Sequence, residues 1–436
     1  MIFRFFRGSC ALAMAALQVV GTLSFAQQDT NNPDGAGSYV TDHYRNLFAE
    51  DGHTEAEIRS KIEAAYQQLF HGEPREQATA FSAGSNKNGP LMYVTDWANH
   101  DVRTEGMSYG MMIAVQLDKK ADFDALWNWA KTNMYISDPK HPSFGFFAWS
   151  CKTDGRPNEE TPAPDGEEYF AMSLLFAAHR WGNGTGIYDY QAEAINLLKA
   201  MRHRAIISGP TTFGNRSVGP EMDEPSGMIL FVPGRMPKPF TDPSYHLPAF
   251  YELWARWGPT DDRQFWEHAA DVSRVFFVAS TSQETGLSPS YANFDGSPRT
   301  TNFAFSGAFG YDAWRTASNW SVDWSWWKKS AEEPILSDRI QAFFASKGMD
   351  KYRGLYSLNG RALESVSEDK RTSPPGLVGM NAVAGLAAKN SGRTLQFTEA
   401  LWNEPVPSGQ NRYYDGMLYL LSLLHVSGEF RIWKPR

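Results

Sequence analysis

Cysteine is nearly absent from this chain, with two in 436 residues, Cys10 and Cys151. A disulfide framework is thereby excluded as a source of stability, and a core of this size does not need one. Excess positive charge is missing too. Lys and Arg number 41 against 49 Asp and Glu, a formal net charge of −8. That balance is unsuited to a phosphate backbone, so no nucleic-acid partner is expected. Past residue 26 no apolar run approaches the roughly 18 residues of a membrane span, and no membrane association is expected. Linkers, low-complexity tracts and repeats with a period of about 20 to 50 residues are also lacking. The expectation is one large domain over 27–436, acting as a monomer.

Missing motifs narrow the chemistry further. The chain has no HExxH zinc helix, no GxSxG elbow, no GxxxxGK[ST] phosphate loop and no GxGxxG after a strand. Its ten histidines are scattered without metal-ligand spacing, so neither a metal nor a cofactor is expected. His179 and His246 read as structural. Cys151 has no neighbouring His and reads as an inert thiol.

What is present begins with residues 1–26, where Arg4 and Arg7 precede an apolar stretch from Cys10 to Val20 and then Ser24-Phe25-Ala26. This is the pattern of a secretory signal with a small-x-small cleavage site. Cys10 lacks the leucine three positions earlier that would mark a lipoprotein. Export to the periplasm or the medium is the expectation.

Helical periodicity appears in twelve segments of two alternating kinds. One kind carries charge along one face: Glu55 to Phe70, Asp122 to Met134, Tyr188 to Arg204, Asp261 to Ala279, Ser337 to Ser346 and Thr394 to Trp402. The other is apolar nearly all round and rich in Gly, Ala and Met: Thr104 to Leu117, Gly166 to Trp181, Pro243 to Trp257, Gly307 to Trp320, Gly376 to Lys389 and Tyr413 to Val426. Helices apolar on every side must be buried on every side. Strict alternation therefore predicts an all-α fold, an (α/α)6 barrel of six inner and six outer helices whose inner N-termini share one end. Phe144 to Cys151, Met228 to Val232 and Tyr352 to Leu358 read as β-like runs, small hairpin insertions on the rim.

Acidic residues occur where those inner helices start: Glu105, Asp165 with Glu167 and Glu168, Asp242, Asp312 and Asp415. Capping and the helix dipole account for such positions. They do not account for the aromatic residues alongside, among them Trp97, Tyr109, Trp149, Tyr245, Tyr311, Trp314 and Tyr413. Most rings in a chain with 15 Trp, 18 Tyr and 28 Phe must be core. A cleft combining carboxylates with the remaining flat rings suits carbohydrate.

Ala163-Pro164-Asp165-Gly166-Glu167, with Ala171, Ser173-Leu174-Leu175, Ala177 and Trp181, resembles the signature of glycoside hydrolase family 8. Pro164, Glu167 and Phe170 depart from its cellulase form and resemble its xylan-degrading branch. The likeness spans most of the chain, through Tyr44-Arg45-Asn46-Leu47-Phe48, Asp101 to Met112, Asp242 to Pro248, Arg412-Tyr413-Tyr414-Asp415 and Val426-Ser427-Gly428. Through Asn128-Trp129 and Phe147 to Cys151 it is similar to the reducing-end xylose-releasing exo-oligoxylanases.

The resemblance implies an inverting β-glycanase acting on xylo-oligosaccharide or xylan, with Glu105 as general acid and Asp312 as general base. It implies Asp165 binding and distorting the sugar, Arg315 orienting carboxylates or sugar hydroxyls, and Tyr245 holding the attacking water. Trp97 and Trp149 are expected as stacking platforms and Tyr413 as a further contact. Glu167 and Glu168 are expected to be first-turn caps. Release of xylose from reducing ends is the leading expectation, then endo-xylanase, then endoglucanase action. One departure bears on this order: exo enzymes carry Leu-His-Pro where this chain has Thr372-Ser373-Pro374. A non-catalytic sugar-binding toroid is the alternative of another class, and retention of both Glu105 and Asp312 argues against it.

Overall fold

The structure, a computed structural model, describes residues 35–234, 238–364 and 372–435. The expected secretory signal lies outside the described residues. Among the described residues twelve helices build a ring. The outer ones are α1 (Glu55–His71), α3 (Lys120–Asn133), α5 (Tyr190–His203), α7 (Arg263–Ser280), α9 (Glu333–Lys347) and α11 (Ser391–Asn403). Between them run the inner helices α2 (Thr104–Gln116), α4 (Pro164–Trp181), α6 (Pro248–Trp257), α8 (Thr316–Trp327), α10 (Pro375–Val383) and α12 (Arg412–Val426). The last inner helix packs back on the first, which closes the ring. The expected (α/α)6 barrel is the fold.

Patterning explains the two layers. In α1 a capping box joins Thr54 to Glu57, and Ile58, Ile62, Ala65, Tyr66 and Leu69 bury one face while the charged face stays outside. In α2 every residue from Gly106 to Gln116 is buried, as is every one from Pro164 to Ala177 in α4. Small residues set how closely the inner helices approach. A Cβ on Gly166 would lie 2.4 Å from the Cβ of Thr104, and one on Gly106 would lie 2.5 Å from the ring of Tyr413. The α2–α4 and α2–α12 contacts therefore require glycine at these positions.

Several boundaries differ from expectation. The third inner helix begins at Pro248 rather than Pro243. Pro243–Tyr245 is a 3-10 turn, and Leu247, the residue before a proline, is held out of the α region at φ −121° and ψ 62°. The fourth does not begin at Gly307. A 3-10 turn, Tyr311–Arg315, leads into α8, which runs past Trp320 to Trp327 and stops where Lys328 adopts a left-handed conformation. The fifth breaks at Val383 into a 3-10 turn, Ala384–Leu386.

The rim carries the β structure. Of Phe144 to Cys151 only the end is strand: β4 (Ser150–Lys152) pairs with β3 (Asp101–Arg103) and β5 (Pro157–Glu159). Met228 to Val232 contributes the short Met228–Ile229 strand, paired with Met222–Asp223. Tyr352 to Leu358 forms only isolated bridges, through Tyr356 to Phe309 and Ala362. Two hairpins were not expected, β1 (Ala80–Asn86) with β2 (Gly89–Val94) and β6 (Ile207–Thr211) with β7 (Gly214–Val218). Their Ser, Gly and Asn content hides them from β-propensity.

Candidate active site

Asp101 and Arg103 on β3 lead directly into α2, so Glu105 sits in the first helical turn at the open end of the ring. Across the axis the turn Tyr311–Arg315 presents Asp312 and Arg315. Tyr311 adopts φ 44°, a left-handed conformation costly for a residue with a side chain. Its ring stacks on Trp314 at 5.5 Å, and its carbonyl accepts from Tyr414 Oη at 3.1 Å. The turn that delivers Asp312 is therefore held from two sides.

Arg315 joins the acidic groups. From Nη1 it donates to Glu105 Oε2 at 3.1 Å, to Asp165 Oδ2 at 2.8 Å and to the Tyr109 hydroxyl. From Nη2 it donates to Ser244 Oγ at 3.0 Å and approaches Asp312 Oδ1 at 3.4 Å. Tyr413 donates to Glu105 Oε1 at 2.9 Å. Burial pushes the Glu105 carboxyl up, Arg315 pulls it down, and the neighbouring charges of Asp165 and Asp312 push it up again, to about 7. Burial likewise raises Asp165 above the ordinary range against the pull of Arg315. Glu105 is thus poised to hold or release a proton near neutral pH. The Asp312 side chain is 35% exposed, against 15% for Glu105, which leaves solvent room beside it.

Two clefts meet at this pair. One, of about 1140 Å³, is walled by Trp149, Phe213, Phe231, Tyr245, Tyr291 and Phe303. The other, of about 540 Å³, is walled by Asp96, Tyr311, Trp314, Gln410, Tyr413 and Tyr414. Arg103, Glu105 and Asp312 line both. The structure therefore brings together seven of the eight expected site residues: Glu105, Asp312, Asp165, Arg315, Tyr245, Trp149 and Tyr413.

Trp97 stands apart from these seven. Its ring lies 4.3 Å from the Arg412 guanidinium and stacks on Phe81 at 6.0 Å, and it lines neither cleft. The Ala80–Val94 hairpin draws it into packing, and no local sequence signal marks that hairpin.

Other acids divide between roles. Asp242 caps its 3-10 turn by accepting from Ser244 N at 2.7 Å, and Asp415 pins the start of α10 by accepting from Gly376 N at 2.9 Å. Glu167, in the first turn of α4, and Glu168 beside it turn into the core. Both are fully buried, Glu167 accepting from Phe147 N at 3.0 Å and Glu168 from Tyr251 Oη at 2.6 Å. Burial pushes Glu167 up to about 8 and Glu168 well above the ordinary range. His246 is buried between Thr241 and Ser273 hydroxyls, and His179 pairs with the Trp433 carbonyl. Sequence reasoning missed Phe213, Phe231, Tyr291 and Phe303 in the cleft wall. They sit in loops and in the hairpin Ile207–Val218, where no helical phase points them inward. Ser373 lies in neither wall: at φ 46° its hydroxyl donates to the Met349 carbonyl at 2.9 Å.

A helical barrel that gathers carboxyl groups and tyrosines at one open end, between aromatic-walled clefts, defines a glycoside hydrolase of the (α/α)6 class. Residues 86–428 match the model of the glycosyl hydrolases family 8, and the chain belongs to that family. It is 41% identical over 404 residues to the reducing-end xylose-releasing exo-oligoxylanase Rex8A of Paenibacillus barcinonensis, covering 92% of this chain and 100% of that protein. Among solved structures it is similar to a GH8 xylobiose complex from Teredinibacter turnerae, with TM-score 0.88 and 50% identity over 92% of this chain and 100% of that one. A xylohexaose complex of a catalytic mutant xylanase from the same organism gives TM-score 0.88 and 49% identity, with the same coverage.

Proposed function

We propose that this protein is an inverting hydrolase of β-1,4-linked xylo-oligosaccharides that releases xylose from the reducing end. The observation that carries the reading is the placement of Glu105 and Asp312 where the two clefts meet, bridged by Arg315. A sugar chain laid along both clefts puts one glycosidic bond between the two carboxyl groups. Glu105, with its carboxyl near 7, protonates the leaving oxygen. Asp312, the more exposed of the two, takes a proton from a water molecule that attacks the opposite face of the sugar ring. Tyr245 stands beside that water, Asp165 binds the distorted sugar, Trp149 stacks on it, and Tyr413 holds Glu105 in place. A periplasmic or extracellular monomer, exported by residues 1–26 and comprising one catalytic domain over 27–436, fits the likeness to oligosaccharide-cleaving relatives.

Ser373 favours a second reading, internal cleavage of xylan. Its hydroxyl is engaged by Met349, and a serine here supplies no imidazole to bar the far side of the cleft. Digestion of xylohexaose and polymeric xylan separates the two: xylose with a shortened oligomer marks exo action, and mixed internal products mark endo action. Asp312→Ala is expected to lower kcat by about 10²- to 10⁴-fold. An intact protein without turnover on either substrate overturns the enzymatic reading. Proton NMR showing first formation of the β-anomer from the β-linked substrate refutes inversion.

A further inference from the structure

Asp242 is fully buried behind the reacting groups, and Oδ1 receives the amide of Ser244 at 2.7 Å. Among the described residues its other oxygen has no hydrogen-bond partner. Ser244 is also buried. Its hydroxyl receives Arg315 Nη2 at 3.0 Å, and its carbonyl receives Asn319 Nδ2 at 2.7 Å. Asn319 follows Arg315 by one turn of α8, so the Ser244 residue is clamped between the cap behind it and α8 in front. On the far side of this clamp His246 binds Thr241 and Ser273, which anchors the segment to α7.

The geometry has a direct consequence. Nη1 of Arg315 serves Glu105, Asp165 and Tyr109 together, so the rotation of one guanidinium sets the distances to three groups. Asp312 approaches the other nitrogen at only 3.4 Å. Ser244 Oγ is therefore the short contact on Nη2. Because a guanidinium is planar with a rigid fork of donors, fixing one nitrogen fixes the other.

We infer that Asp242 and Ser244 are positioning residues which lock the Arg315 guanidinium between the acid and base carboxyl groups, without touching substrate. The inference rests on the assignment of Glu105 and Asp312 as the reacting pair. Burial supports it by pushing Asp242 well above the ordinary carboxyl range, so that no second negative charge competes for Arg315 from behind.

Ser244→Ala tests it on the full-length enzyme with xylohexaose. The groups facing Glu105 are Arg315 and Asp312 from the turn, Asp165 from α4, Arg103 from β3 and Tyr413 from α12. Of these, Ser244→Ala loosens only Arg315, whose charge lowers the Glu105 carboxyl. The expected result is a kcat about tenfold lower with KM within about twofold, and an alkaline limb of the pH profile moved to higher pH. Asp242→Ala is expected to behave alike. Asp242→Asn keeps the Oδ1 acceptor and is expected to recover kcat to within about threefold of the unaltered enzyme.

Unchanged kcat and pH profile in Ser244→Ala overturns the inference, as does Asp242→Asn losing as much as Asp242→Ala. Asp312→Ala serves as control. If it retains full turnover, the assignment of the reacting pair has failed; if it is inactive while Ser244→Ala is normal, only the positioning role has failed.

Discussion

Arg274 donates to Asp323 from Nε and Nη2 at 2.7 and 2.9 Å and to Glu252 from Nη1 at 3.0 Å, fully buried where α7, α6 and the second half of α8 meet. Arg315, on the turn that opens α8, is buried among Glu105, Asp165 and Asp312. Each arginine meets three carboxyl groups, Arg274 also donating to Asp271 Oδ1 at 2.8 Å, and the clusters differ in the further cations that join them. Glu252 receives Arg274, Arg256 and Lys329. Burial pushes its carboxyl up, yet the three cations together hold it below the ordinary range. Glu105 has a third share in one guanidinium, and burial leaves it near 7. A carboxylate that three cations reach stays charged, whereas one that shares a single close guanidinium with other carboxyls keeps its proton to higher pH. The ratio of charges, not the presence of an arginine, separates a brace from a catalytic centre.

Removing each arginine breaks the comparison most sharply. Arg315→Met is expected to lower kcat by about 10²- to 10³-fold, since the charge that organises the reacting carboxyls is gone. Arg274→Met is expected to leave kcat of the folded enzyme near its original value but to cost about 3–5 kcal/mol of stability by stranding buried carboxylates. Steady-state kinetics beside urea unfolding reads both. Loss of turnover in Arg274→Met at intact stability shows that Arg274 serves the reaction and not the fold.

A smaller effect lies in the pH dependence of stability. Glu105 and Glu167 hold protons more tightly in the folded chain than in the unfolded one, up to about 7 and 8. Between the ordinary carboxyl range and these values the folded state binds more protons, so their contribution to stability declines as pH rises. The urea midpoint is expected to fall from pH 5 to pH 8, and Glu167→Gln is expected to flatten that fall. An unaltered slope in Glu167→Gln removes Glu167 from the account. The smallest effect is kinetic: kcat/KM is expected to decline above about pH 7 as Glu105 loses the proton it must donate.

Much of this was legible from residue order. Fully apolar helices alternating with one-sided ones forced the ring, as α2 and α4 illustrate, and the acids at inner N-termini marked its working end. The failures share a cause. Trp97 rests against Phe81 of the first hairpin and against Arg412, and no local pattern in the sequence marks that hairpin. The expectation of Glu167 and Glu168 as first-turn caps rests on helix position alone, whereas both are buried with the Phe147 amide and the Tyr251 hydroxyl as partners. The two hairpins and the cleft-lining phenylalanines depend on pairing and loop paths that period and propensity do not encode.

By itself the sequence determined the layered helical ring, the end of it that carries acid and the family to which the chain belongs. Period and composition act locally, and a helix apolar on every side has only one place to go. Tertiary structure decided the surroundings of each acid. Asp415 became a pin on α10, and the Glu105 carboxyl was raised to about 7, because of the partners that other helices bring and the water that burial removes. Those two quantities set a carboxyl's proton affinity, and neither is written in the residues on either side of it.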